Sequence, residues 1–245
     1  MKAIGLIPAR LASTRLPDKP MKDIDGLPMI VHVFKRAELC NELTKVFVAT
    51  PNQEISDLVK SHGGNPIITG TEHRTGTDRL AEAAGKLDID FDVVVNIQGD
   101  EPLLRPEHIS QALRPMNDKN IETVCLAHKS NQVNDINEVK LVFNRNKEIM
   151  YFSRSDIPST LRVKHNEIYK QYCIYSFRKE ILELFGKLQH TPLEKIESVE
   201  LLRLLENGHK IHCEVIEGET WHVDTEEQLE RVRQLMKNDD LRKSY

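Results

Sequence analysis

Apolar residues fall in two rhythms along this chain. Unbroken runs, "KAIGLI" at 2–7, "KVFVAT" at 45–50 and "FDVVVNIQ" at 91–98, show no polar face and predict strands buried on both sides. Between them apolar positions recur every three or four residues. "MIVHVFKRAEL" (29–39), "QEISDLVKSHGG" (53–64) and "TDRLAEAAGKL" (77–87) therefore predict amphipathic helices, the second stopped by Gly63-Gly64. Strand-helix alternation makes the first hundred residues a right-handed doubly wound half.

Further along, "HISQALRPM" (108–116) is helical in pattern, while "ETVCLAHKS" (122–130) and "EVKLVFNRNKEIMYFSRS" (138–155) are extended, with a hairpin turn at Asn144–Lys147. "YKQYCIYSFRKEILELFGKL" (169–188) predicts a strand followed by a helix. "PLEKIESVELLRLLENG" (192–208) predicts one strongly amphipathic helix, and "KIHCEVIE" (210–217) a strand. "DTEEQLERVRQLM" (224–236) predicts a last helix opening on an Asp-Thr cap. The sum is one α/β domain over residues 1–245. It has a mixed, mostly parallel sheet flanked by helices and an extended insert near 140–175 suited to pairing with another copy.

Length, 245 residues, suffices for a full core, and a formal charge of −4 argues against a nucleic-acid binder. No apolar run approaches the roughly 20 residues of a membrane span, and Met1 leads into a strand instead of a signal peptide. The expected protein is soluble and cytoplasmic. Cys40, Cys125, Cys173 and Cys213 form no C-x-x-C pair and are expected to be packing residues.

Against that acidic background "IPARLASTRLPDKP" (7–20) is basic, with Arg10, Arg15 and Lys19 on one loop after the first strand. Pro8 ends the strand, and Ala9, Ala12, Ser13 and Thr14 are small enough for main-chain amides to approach a ligand. The carboxyl end of a first strand is the usual ligand position in an open α/β sheet. Neither Gly-x4-Gly-Lys-Ser/Thr nor G-x-G-x-x-G occurs there, which counts against a kinase, a GTPase or a dinucleotide enzyme. Side-chain charge instead predicts a triphosphate with a bound cation.

A counterpart stands at "NIQGDEP" (96–102), where Asp100 follows an apolar strand and offers a carboxylate for Mg2+. Asp224 is the candidate second carboxylate, its rival role being helix capping. His73, His108 and His190 make no His-x-x-x-His pair and are expected to be exposed or capping.

Taken in order, "IPARLASTRLPDKP", "GLPMIVHV", "HRTGTDRLAE", "NIQGDEPLLRPE", "YFSRSDIP" and "VDTEEQLERVR" resemble the 3-deoxy-manno-octulosonate (Kdo) cytidylyltransferases across nearly the whole chain. The resemblance implies a Rossmann-like nucleotidyltransferase fold and Mg2+-dependent transfer of CMP from CTP to the anomeric hydroxyl of Kdo, for lipopolysaccharide or capsule synthesis. It also implies a homodimer. Carried over, Arg10, Arg15 and Lys19 hold the triphosphate with Pro8, Ala9, Ser13 and Thr14, and Thr75 and Gly76 lie near the cytidine. Asp100 and Asp224 bind Mg2+. Gln98, Arg154, Gln171, Tyr175 and Glu200 face the sugar acid, with Arg154 meeting its carboxylate.

The chain departs from the family pattern at several places. Gln171 stands at a usual His, Leu201 at a Gln, Trp221-His222 precede "VDT", and Pro51-Asn52 replace an acidic pair. Three of these changes near one subsite favour an altered acceptor such as 8-amino-Kdo; a CTP-binding protein without catalysis is the non-enzyme alternative.

Overall fold

A computed structural model describes the chain apart from residues 13, 14, 132, 160, 164–166 and 219. The first strand, β1 (Ala3–Pro8), leads through the basic loop to a small hairpin, β2 (Asp23–Ile24) and β3 (Leu27–Pro28), and to helix α1 (Met29–Glu38). Then come β4 (Leu43–Thr50), α2 (Gln53–Ser61), β5 (Asn65–Ile68), α3 (Gly76–Gly85), β6 (Val93–Ile97) and α4 (Pro106–Leu113). The second part carries β7 (Thr123–Ser130), β8 (Lys140–Phe143), β9 (Ile149–Ser153), β10 (Ile168–Arg178) and α5 (Lys179–Phe185). It finishes with α6 (Pro192–Glu197), α7 (Leu202–Glu206), β11 (His212–Ile216) and α8 (Glu226–Met236).

Among the described residues the main sheet runs β11-β7-β10-β6-β1-β4-β5. β1 lies parallel to β4 and β6, and β11 parallel to β7, whereas β10 is antiparallel to both its neighbours. Alternation along β1 explains the two-sided burial. Ala3 and Ile7 pack with α1, α2 and α4 on one face, Ile4 and Leu6 with α3 and α5 on the other. A third, smaller core joins Leu16 and Ile24 to Leu229, Val232 and Met236 of α8, which fixes the basic loop against the last helix.

Three expectations are revised, and one strand is added that the pattern did not predict. β5, "NPII", escapes the pattern because it is a short edge strand whose Pro66 needs no ladder donor. The single helix over 192–208 is two, α6 and α7, broken where Ser198 takes φ 53. Thr225, not Asp224, caps α8: its hydroxyl accepts from the Gln228 amide. Residues from Ile168 on belong to the centre of the sheet through β10, so the extended segment narrows to the β8–β9 pair and its flanks.

Candidate active site

Strand ends gather the polar groups. Pro8 closes β1, and Gln98, Gly99 and Asp100 follow β6 directly alongside it. A Cβ on Gly99 would stand 2.8 Å from the Pro8 carbonyl oxygen, so only glycine lets the two loops meet this closely. Lys19 is carried by a short turn over Lys19–Met21 that starts at Asp18 with φ 54.

Lys19 Nζ donates to Asp100 Oδ2 at 2.8 Å and to Asp224 Oδ1 at 2.9 Å, and Arg15 Nη2 reaches Asp224 Oδ2 at 2.9 Å. Two carboxylates from distant parts of the chain thus converge on one ammonium. Burial opposes the charge on Lys19, but Asp100 and Asp224 outweigh it and hold the ammonium pKa above its ordinary value. Burial likewise opposes ionisation of Asp224; Lys19 and Arg15 overcome it and keep that carboxyl below its usual range. Converging hard oxygen donors of this kind fit a small divalent cation. Next to them Glu101 is buried, and desolvation, reinforced by Asp100 and Glu138, pushes its carboxyl well above the usual range.

These groups border a cavity of about 330 Å³ lined by Pro8, Ala9, Arg10, Ala12, Arg15, Lys19, Thr75, Gly76, Gln98, Asp100 and Asp224. The expected Ser13 and Thr14 lie outside the described residues. Thr75 is the N-cap of α3 in a reciprocal box with Asp78, which brings Gly76 and the helix start to the cavity wall. His73, Arg74 and Arg79 line it too and are absent from the sequence-based set. Arg79 donates to Thr69 Oγ1 (2.6 Å) and the Gly70 carbonyl (2.8 Å); a cation one turn into a helix ordinarily reads as solvent-facing.

Two further cavities continue the first and share Gln98 with it. One is bordered by Thr75, Gly76, Arg154, Gln171, Tyr175 and Glu200, the other by Asp100, Glu138, Arg154, Gln171, His222 and Asp224. Gln171 Nε2 donates to the Tyr175 hydroxyl at 3.0 Å. Glu200 accepts from the Thr77 amide (3.1 Å) and hydroxyl (2.8 Å), while burial raises its pKa against those bonds. Arg154 reaches the cavities, but its guanidinium donates to four carbonyls, those of Ile136, Asn137, Glu197 and Ser198.

Among the departures, Leu201 does not reach the site: it is fully buried in the α3–α5 core. Trp221 packs on the α8 core under Arg231, whereas its neighbour His222 does border the cavity. Cys173 also lines it, unlike the three buried cysteines. His108 is buried edge-to-face against Tyr172, neither exposed nor capping.

Residues 4–211 match the family model described as cytidylyltransferase. The 3-deoxy-manno-octulosonate cytidylyltransferase of Parabacteroides distasonis is 40% identical over 97% of this chain and 99% of its own length. That of Chlorobium chlorochromatii is 41% identical over 97% and 98%. A solved structure of CMP:2-keto-3-deoxy-manno-octonic acid synthetase complexed with CTP superposes with a TM-score of 0.91 at 37% identity, covering 97% of this chain and 99% of that one.

Proposed function

This chain belongs to the family of 3-deoxy-manno-octulosonate cytidylyltransferases, and on that premise we propose that its site transfers CMP from CTP to the anomeric hydroxyl of Kdo, releasing pyrophosphate. The observation that carries the residue assignment is the pairing of Lys19 with both Asp100 and Asp224 at the floor of a cavity rimmed by Arg10, Arg15 and Arg79.

Arg10, Arg15 and Lys19 hold the triphosphate, with Pro8 and Ala9 below it and Thr75 and Gly76 at the base and ribose. Asp100 and Asp224 hold Mg2+, which when bound lowers the charge barrier at the reacting phosphate. Among the described residues no Ser, Cys or His of these cavities is paired with a base as a nucleophile would be, so the acceptor's oxygen attacks the α-phosphorus directly and pyrophosphate leaves. Arg15 and Lys19 offset the charge that builds on the leaving group. Gln98 stands where nucleotide and acceptor cavities meet and orients the sugar acid. Arg154 offers its remaining N–H to the acceptor carboxylate, and Gln171, Tyr175 and Glu200 form the far wall.

CTP is a cytoplasmic nucleotide, so we place the reaction in the cytoplasm; among the described residues no helix is long and apolar enough to cross a membrane. A homodimer is supported by β9, which among the described residues pairs along its length with β8 alone, and by Met150 exposed on it. The test is pyrophosphate release from CTP and Mg2+ with Kdo, together with chiral α-thio-CTP. Turnover with inversion at phosphorus is expected; no release with any of a panel of keto-sugar acids, or retention, overturns the proposal.

A further inference from the structure

Strand β6 reads "VVVNI", is buried at every position, and has one polar side chain, Asn96. An amide among apolar neighbours is costly unless its ends are bonded. Asn96 Nδ2 donates to Thr77 Oγ1 at 3.0 Å, and Asn96 Oδ1 accepts from Gln98 Nε2 at 3.2 Å. Thr77, also fully buried, gives its hydroxyl proton to Glu200 Oε1 at 2.8 Å and its main-chain amide to Glu200 Oε2 at 3.1 Å. Glu200, Thr77, Asn96 and Gln98 are therefore one chain of hydrogen bonds. It runs from the acceptor wall to the point where the three cavities meet.

The direction of this chain is set at its origin. A hydroxyl has one proton, and that of Thr77 is directed at a carboxylate oxygen, so Asn96 meets only its lone pairs and must turn its NH2 toward them. Asn96 Oδ1 is then left on the side of Gln98, which must in turn offer its own NH2. Gly76 lies against that same limb of the amide: a Cβ there would stand 3.8 Å from Gln98 Nε2. The opposite limb, Gln98 Oε1, accepts from no group among the described residues. An oxygen of this kind can meet a hydroxyl but not a carboxylate, which has no proton to donate.

We propose that Thr77 and Asn96 are positioning residues for the transfer, holding the Gln98 amide so that its carbonyl oxygen accepts from a hydroxyl of the sugar acid. The inference rests on the cytidylyl-transfer reading of the same site and deepens it.

Steady-state pyrophosphate release tests it, with KM read for Kdo and for CTP in turn while the other substrate is saturating. Thr77→Val keeps the shape of the side chain and removes the hydroxyl. It should raise the Kdo KM about tenfold and leave the CTP KM within about twofold, whereas Thr77→Ser should stay near the wild type. Asn96→Leu breaks the chain one bond further on and should show the same split. In a Gln98→Ala background Thr77→Val should add less than about twofold to the Kdo KM, because both changes act through one amide. A CTP KM that rises in step with that of Kdo would mean a loosened start of α3, where Thr75 and Gly76 border the nucleotide cavity, and overturns the inference. So does a Kdo KM unmoved in Thr77→Val and Asn96→Leu, a Thr77→Ser as impaired as Thr77→Val, or effects of Thr77→Val and Gln98→Ala that multiply. In all of these cases transfer by the wild-type protein stands. If the wild type releases no pyrophosphate with Kdo, the transfer reading falls and this inference with it. Should Thr77→Val fail to fold, Asn96→Leu, alone and with Gln98→Ala, decides.

Discussion

The nucleotide cavity and the acceptor cavities are built on opposite principles. Around the first, charges are kept charged, partly open to water, and paired with one another: Lys19, Asp100 and Asp224 are 15%, 27% and 22% exposed. Around the others, polar groups are buried and satisfied internally, Gln171 on Tyr175 and Glu200 on Thr77. Burial pushes the Tyr175 hydroxyl and the Glu200 carboxyl up, toward their neutral forms. A polyanion is met by net charge that trades one counter-ion for another, whereas the far wall of the acceptor cavities, Gln171, Tyr175 and Glu200, offers hydrogen-bonding groups already satisfied inside the protein. Damage to the first region should therefore cost turnover and spare the fold; damage to the second should cost the fold.

The strongest test of that contrast is Arg203, a buried cation behind the acceptor wall. It pairs with Asp78 and Glu194, both at 2.6 Å, and its guanidinium lies 4.0 Å over the Phe185 ring. Arg203→Leu takes the shared guanidinium from two carboxylates, leaving Glu194 to His190 and Asp78 to Thr75, and should lower unfolding free energy by about 3 kcal/mol, read from urea denaturation. A loss below about 1 kcal/mol would break the comparison. Lys19→Ala is the converse. Turnover should fall about a hundredfold, worth ~3 kcal/mol of transition-state stabilisation, with little change in the urea midpoint. A variant of near-normal kcat/KM would remove Lys19 from the chemistry.

Acid should separate the two properties further. His32, on α1, takes its Nδ1 contact from the Tyr245 hydroxyl at 2.8 Å and its Nε2 contact from the Ile24 carbonyl at 2.6 Å. Burial, with Arg242 and Arg36 adding to it, lowers its pKa to about 4. Between that value and roughly 6.5 the unfolded chain binds the extra proton, so stability present above the unfolded pKa is lost as pH falls, by up to ~3 kcal/mol. Asp224 titrates below its ordinary range, so its pairing with Lys19 and Arg15 persists through the same interval. CTP binding per folded molecule should hold at pH 5 while the urea midpoint drops, and His32→Gln should flatten the drop. Parallel losses of both would contradict it.

Legibility in the sequence follows the same division. Arg10, Arg15, Lys19 and Asp100 stand in loops directly after apolar strands, and local order alone brings them to one sheet edge. Asp224 lies far off in sequence; the packing of Leu16, Ile24 and Val223 with α8, and the Val223 amide bonded to the Asp100 carbonyl, deliver it to Lys19. Gln171, Tyr175 and Glu200 sit in a buried strand and after a helix break, where a core residue and a cavity residue have the same pattern; resemblance, not periodicity, singles them out. Leu201 shows the failure plainly. Extending one helix through 192–208 leaves its facing open, whereas the turn at Ser198 rotates it into the core.

Leu201 and Gln171 give the finest test, since both depart from the family pattern and only one borders the cavity. Leu201→Gln puts an amide among Phe177, Leu182 and other apolar neighbours of its core, with no site for its hydrogen bonds, and should cost about 1–3 kcal/mol of stability. It should leave the ratio of kcat/KM between Kdo and its amino analogue where it was. Gln171→His exchanges one neutral donor beside Tyr175 for another of similar size, in a position only 8% exposed. Stability should move by no more than about 1 kcal/mol, because the bond to Tyr175 can be remade. Selectivity should shift only a few-fold, about 0.5–1 kcal/mol, toward Kdo, as an imidazole meets a hydroxyl better than it tolerates an ammonium. If Leu201→Gln moves that ratio and Gln171→His does not, the acceptor wall has been drawn on the wrong side of β10.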